Sequence, residues 1–249
     1  DSSQPVAQGL SHRSSNSGRE EAGVLCVRPN CHEEAWDLKK GSFCSYSCLE
    51  KQAGQQAFCS LASESQLASV VKHLNQKWDT QRGAVPQPRK VYRIYASAIV
   101  ENRYWKRCRA IGDVKAYGHG ANPGNQQRRP HGTGQKCKFS GQPCTDKGCR
   151  ACSIIREGFD LTHLGEGTGN QGYYGPGHYT TSQWATAKSY GNVLILANVA
   201  AGKVEKSKEL TSSVVSPEHN SRVVEKTTGV DELVVFNDDQ MLPLYLILF

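Results

Sequence analysis

Eight of the ten cysteines in this 249-residue chain fall into two sets of four. Cys26, Cys31, Cys44 and Cys48 form two short-spaced pairs either side of a polar loop, the arrangement by which turns deliver four thiolates to a tetrahedral zinc. Cys137, Cys144, Cys149 and Cys152 form the second set, with Pro143 and Gly148 supplying turns and Cys149-x2-Cys152 as its most specific element. A closed four-thiolate site leaves no open position for water, so both sites read as structural rather than catalytic. Disulfides within each set are the alternative. His32 reads as a bystander beside Cys31, and Cys59 and Cys108 as ordinary thiols. A separate candidate is Glu232, which heads the apolar run Leu233-Val234-Val235-Phe236. A carboxylate is costly there unless it serves a polar pocket at the strand end; a simple polar strand edge is the plainer reading.

These residues need elements to position them. Residues 1–22 are too poor in apolar side chains to offset ordering entropy and read as a flexible tail. Residues 23–60, holding the first tetrad, have too little core to fold without a staple and read as a zinc finger. From Glu64 to Thr80 the residues Leu67, Val70, Val71, Leu74 and Trp78 recur at helical spacing, which predicts an amphipathic helix. Val91 to Ala96 alternates as a strand does. The Gly-, Asn- and Arg-rich stretch from Gly112 through Cys152 reads as irregular backbone pinned by the second tetrad, and such stretches carry function. A Gly-rich loop from Gly165 to Gly177, a helix from Ser182 to Tyr190, and three strands at Val193–Val199, Glu232–Phe236 and Leu242–Phe249 complete the chain. The order implies an α+β domain over residues 61–249 with an inserted zinc loop at 137–152.

Four short elements occur in a telling order: His131-Gly132-Thr133, then Tyr174-Gly175-Pro176-Gly177-His178-Tyr179, then Ser189-Tyr190, then Gly229-Val230-Asp231-Glu232. Together they resemble the catalytic domain of the poly(ADP-ribose) polymerase-like, diphtheria-toxin-type ADP-ribosyltransferases, and the finger plus inserted cysteines resembles fungal members. The resemblance spans about residues 64–249 and implies a mixed split β-sheet fold with a small N-terminal zinc-binding module. It implies NAD as co-substrate, with His131, Tyr179 and Glu232 as the catalytic triad. By the same resemblance His131 bonds an adenosine-ribose hydroxyl, the Gly132 backbone grips the nicotinamide amide, Thr133 belongs to the NAD-binding set, and Tyr179 and Tyr190 sandwich the nicotinamide ring. Glu232 binds a ribose hydroxyl and stabilises the cation. These types suit the chemistry, since glycosyl transfer passes through an oxocarbenium-like state and aromatic faces suit a flat cationic ring. One position departs from the pattern: where the family carries Ser or Thr three residues before the second tyrosine, this chain has Ala187, and Ser189 stands nearby to take over the amide contact.

The reading that follows is an NAD-dependent ADP-ribosyltransferase acting on a macromolecular acceptor, protein or nucleic acid. An NAD glycohydrolase, or a non-catalytic zinc scaffold that binds NAD, is the alternative. The net charge is +7, with Arg103, Lys106, Arg107 and Arg109 in one segment and Arg128 and Arg129 just ahead of His131, where local charge would assist dinucleotide capture. No long basic run or aromatic ladder marks a nucleic-acid binder. No segment approaches the roughly 18 apolar residues of a membrane helix. No secretory leader opens the sequence, although its start at Asp1 leaves that point open. Zinc thiolates imply an intracellular compartment, nuclear or cytoplasmic; disulfides would imply secretion.

Overall fold

The computed structural model describes residues 25–26, 31–33, 35, 44–45, 48, 56–114, 122–165, 172–225 and 231–249. The 1–22 tail, most of the spacer in the first tetrad, part of the Gly165–Gly177 stretch, and Gly229 and Val230 lie outside them.

Two sheets form the body. The first has five antiparallel strands in the order β1-β2-β9-β5-β3, where β1 is Phe58–Leu61, β2 Lys90–Tyr95, β3 Gln126–Thr133, β5 Val193–Ala200 and β9 Met241–Leu248. The second has the order β4-β8-β7-β6, with β4 His178–Thr181, β6 Val204–Ser207, β7 Ser221–Glu225 and β8 Asp231–Val235; only β6 and β7 run parallel. Among the described residues four helices accompany them: α1 Glu64–Gln76, α2 Ala98–Ile111, α3 Arg150–Glu157 and α4 Trp184–Lys188. The architecture is α+β with two sheets.

The central strands β5 and β9 are buried on both faces, which is why they read as unbroken apolar runs rather than as alternations. On one face Val193, Ile195, Leu246 and Leu248 pack with Ala151, Cys152 and Ile155 of α3 and with Leu233 and Val235 of the second sheet. On the other, Leu194, Leu196 and Ile247 meet Val70 and Leu74 of α1, Val100, Tyr104 and Cys108 of α2, and Trp184 of α4. Fully buried Trp184 donates its indole N–H to His73 Nδ1 at 3.0 Å, so it fixes the five-residue α4 against α1. Truncating such a side chain costs about 3–5 kcal/mol.

Several expectations are corrected. The stretch from Gly112 to Cys152 is not irregular throughout, because β3 and the start of α3 lie within it. β3 is an edge strand of its sheet, where Pro130 and Gly132 are tolerated. The Glu64 helix is shorter than expected, ending at Gln76, and its Leu67 is exposed while Val70 and Leu74 face the core. The helix expected over Ser182–Tyr190 contracts to α4. A long second helix, α2, was unforeseen; Ser97 caps it by accepting the Val100 N–H at 3.4 Å. The sheet starts at Phe58, so a boundary at residue 60 falls inside β1.

Candidate functional site

Both tetrads come together. The four Sγ atoms of Cys26, Cys31, Cys44 and Cys48 lie within 4.8 Å of one another, as do those of Cys137, Cys144, Cys149 and Cys152. Individual separations are 3.7 Å for Cys31–Cys44, 3.6 Å for Cys31–Cys48, 3.5 Å for Cys137–Cys152 and 3.8 Å for Cys137–Cys149. Four sulfurs about 2.3 Å from a tetrahedral zinc stand roughly 3.8 Å apart, whereas a disulfide needs about 2.05 Å. The clusters therefore fit a four-thiolate metal ion. The Lys136 N–H points at Cys149 Sγ from 3.3 Å. Burial works against ionising Cys149, yet this amide, with those of Cys137 and Cys152, holds its thiol down at about 6. The Glu33 amide does the same for Cys31, also about 6. His32 is exposed and outside the group.

Each cluster braces a part of the sheet. Cys26 and Cys48 pack on Phe58 of β1, whose ring stacks on Tyr95 of β2 at 4.7 Å. The second cluster ties β3 to α3: Cys149 is the N-cap of α3, Cys152 lies in its first turn, and the Ala151 N–H donates to Gly134 O at 3.0 Å, one residue past β3. Helix α3 then supplies Arg150, Ser153, Ile154 and Glu157 to the wall of a cleft.

That cleft, about 290 Å³, opens where β3 of one sheet meets β4 of the other. It is lined by His131, Gly132 and Thr133 of β3, Tyr179 of β4, Ala187 of α4, Tyr190 after it, and Glu232 of β8. His131 Nδ1 lies 2.9 Å from the Tyr179 carbonyl. A carbonyl only accepts, so Nδ1 carries the proton and Nε2 keeps its lone pair. Burial lowers the His131 pKa to about 4, with neighbouring His178 adding to the effect and the Tyr179 carbonyl opposing it. His131 is therefore a neutral acceptor at pH 7. The Tyr179 hydroxyl receives the Tyr174 N–H at 2.8 Å and donates to Gly175 O at 2.9 Å, which leaves its ring a fixed wall. Burial raises its pKa and keeps it protonated.

Glu232 is buried and sits opposite Thr181 in the β4–β8 pairing, while the Tyr190 hydroxyl approaches its Oε1 at 3.5 Å. Gly132 must be glycine: an added Cβ would lie 1.9 Å from the Ala187 carbonyl oxygen and 3.0 Å from Tyr190 Cβ. The strand that carries His131 and the turn that carries Tyr190 thus approach more closely than a side chain permits.

Ser189 is not brought to the cleft. It is exposed, and its hydroxyl is spent on the Thr186 carbonyl at 2.8 Å. Ala187 lines the cleft at that point, so the hydroxyl expected to replace the missing one is absent from it. Arg129 is not a free cation for a pyrophosphate either: it is buried, and both of its terminal nitrogens donate to Asp231, at 2.9 Å each. Arg128 is exposed and reaches Ser69 Oγ at 3.2 Å.

Three further features of the site have no role at the level of sequence. Asp231, read only as a strand edge, accepts both Arg129 bonds and the Ser182 N–H at 2.8 Å, so one carboxylate joins β3, β8 and the entrance to α4. His178 pairs through Nε2 with Asp238 Oδ1 at 2.8 Å, and the same oxygen accepts the Leu161 N–H at 2.8 Å. Phe159 packs edge-on to both His131 and His178, with ring centres 5.3 and 5.5 Å away. An Asp beside Glu232 and an Arg two residues before His131 were the available signals; that they meet depends on the folding of two strands 102 residues apart. Comparison of the chain with protein-family models and with curated proteins returns no match.

Proposed function

We propose that this chain is an NAD-dependent ADP-ribosyltransferase of mixed split-sheet fold, taking NAD in the cleft between β3 and β4 and holding a structural zinc in each tetrad. What supports the reading is that His131, Tyr179, Tyr190 and Glu232, contributed by separate elements, line one cleft.

In this reading the nicotinamide ring lies between Tyr179 and Tyr190, beside the Gly132 backbone, and the neutral His131 offers Nε2 to a ribose hydroxyl. The bond from the ribose anomeric carbon to the nicotinamide nitrogen breaks, with its electron pair leaving on nicotinamide. Positive charge then grows on the ribose, where the Glu232 carboxylate opposes it. An acceptor oxygen or nitrogen forms the new bond to that carbon and releases its proton to water, so one proton accompanies the neutral nicotinamide. The zincs take no part in these steps; four thiolates hold each ion and the ion holds the backbone. Thiolate sites of this kind belong to a reducing, intracellular compartment.

Titrating the full chain with NAD, alone and with a nicotinamide-like competitor, tests the ring sandwich. Saturable NAD binding that the competitor displaces supports it. Binding the competitor leaves untouched places the ring elsewhere, and no NAD binding contradicts the proposal.

A further inference from the structure

Helix α2 presents a face to solvent that the cleft does not use. Its core side carries Val100, Tyr104 and Cys108. At about 3.6 residues per turn, its exposed residues Ile99, Asn102, Arg103, Trp105, Lys106, Arg109 and Ala110 fall within one half of the circumference. That arc holds three cations and no acid. Arg107 lies outside it, bonded to Asp239 at 2.8 Å; the helix's one acid, Glu101, is partly buried on the core side. Among the described residues no acidic side chain pairs with Arg103, Lys106 or Arg109. Trp105 flanks Asn102 and Arg109 on the same arc and is 40% exposed. The Arg103 guanidinium donates to the Glu157 carbonyl at 3.3 Å, and Glu157 lines the cleft, so the face runs up to the mouth of the cleft.

We propose that this face of α2 binds single-stranded nucleic acid, with backbone phosphates on Arg103, Lys106 and Arg109 and a base against Trp105. Unpaired cations beside an exposed aromatic ring are what such a strand requires: charge tracks the phosphates and the ring stacks on a base whatever its identity. A membrane surface fits less well, because an interfacial helix must turn its apolar side to lipid. Here that side is closed in the core against β5 and β9, leaving only Ile99 and Trp105 outward. The proposal concerns docking alone and stands whether or not the cleft takes NAD.

The test uses the full chain and fluorescein-labelled oligo-dT and oligo-rU of about 20 nucleotides, read by anisotropy. Binding should weaken with salt, log K falling with log[salt] at a slope near −2 for about three phosphate contacts on a single strand. Charge reversal in Lys106→Glu/Arg109→Glu should cost at least about 10-fold and flatten that slope. Trp105→Ala should cost about 5-fold or more with the slope kept. Thermal unfolding of the charge-reversed variant should match the parent, since both of its side chains are exposed. Unchanged affinity in the folded charge-reversed variant would overturn the proposal. So would no oligonucleotide binding alongside binding to phosphatidylserine vesicles, or tighter binding to duplex of the same length.

Discussion

Arg129 and Asp231 face each other through two parallel hydrogen bonds of 2.9 Å, and in doing so tie the strand of His131 to the strand of Glu232. Each partner stands beside a cleft residue: Arg129 two positions before His131, Asp231 one before Glu232. Asp231 also accepts the Ser182 N–H, which fixes the chain entering α4 and, through it, Tyr190. The pair couples the two sheets at the point where the cleft opens. Burial favours the protonated acid, yet the guanidinium and the Ser182 amide prevail and hold the Asp231 pKa below its ordinary value.

Breaking this pair should loosen the cleft before it unfolds the protein. Arg129→Leu leaves a carboxylate with little water to replace its partner, a loss of about 3–5 kcal/mol. For a chain of this size that lowers Tm by roughly 6–20 °C. Replacing both, as Arg129→Leu/Asp231→Leu, should recover much of the stability but not the NAD affinity. A calorimetric shift below about 2 °C for the single variant would show that the pair does not hold the two strands together.

Acid should act through two groups with opposite ordinary charges and the same sign of effect. His131 is held near 4 in the fold against an ordinary 6.5, so the unfolded chain binds more protons between those values. Its stabilisation is present above pH 6.5 and is lost as pH falls toward 4. Asp231 is depressed below its ordinary 3.8, so its share persists down to that pH and disappears beneath it. NMR of ring-labelled histidine should show one imidazole neutral, with the proton on Nδ1, at pH 6. Titration of His131 near 6.5 would contradict the half-buried, acceptor role.

Metal analysis should find two zinc ions per chain. Cys149→Ser or Cys152→Ser should remove one, and with it the start of α3, so NAD affinity should fall at least about 10-fold while the first site keeps its ion; structural zinc carries about 10 kcal/mol or more of folding free energy. The check is NAD titration beside elemental analysis of each variant. Full NAD binding in a one-zinc protein would separate the metal from the cleft.

Gly132→Ala adds a single methyl group, which would sit 1.9 Å from the Ala187 carbonyl. Overpacking of this kind costs about 1–3 kcal/mol, and relief requires the Tyr190 turn to move away from β3. NAD titration should show an affinity lower by about 10-fold or more.

How far the sequence could be read depended on whether a signal was local. The cysteine sets announce themselves by spacing, and β5 and β9 by their apolar runs. Glu232 stood out because a carboxylate heads such a run. β3 was hidden, since Gln126 to Thr133 contains Pro130, Gly132 and no Val or Ile, and forms a strand because β5 pairs with it along its full length. α2 was hidden because its cations mask the four-residue recurrence of Val100, Tyr104 and Cys108. Ser189 and Ala187 show the limit from the other side: one turn of helix decides which faces the cleft, and only the fold fixes that turn.

The most direct measurement is NAD turnover by the full chain and by Glu232→Gln, using NAD labelled in the adenosine portion and scoring label on macromolecules, free ADP-ribose and nicotinamide. The proposal predicts label transferred to a macromolecular acceptor by the parent and at least about a 100-fold loss in the variant, with NAD affinity changed by less than about 3-fold. Free ADP-ribose alone would make the protein a glycohydrolase. Equal turnover by Glu232→Gln, or no turnover by a zinc-replete parent that binds NAD, would contradict the assignment.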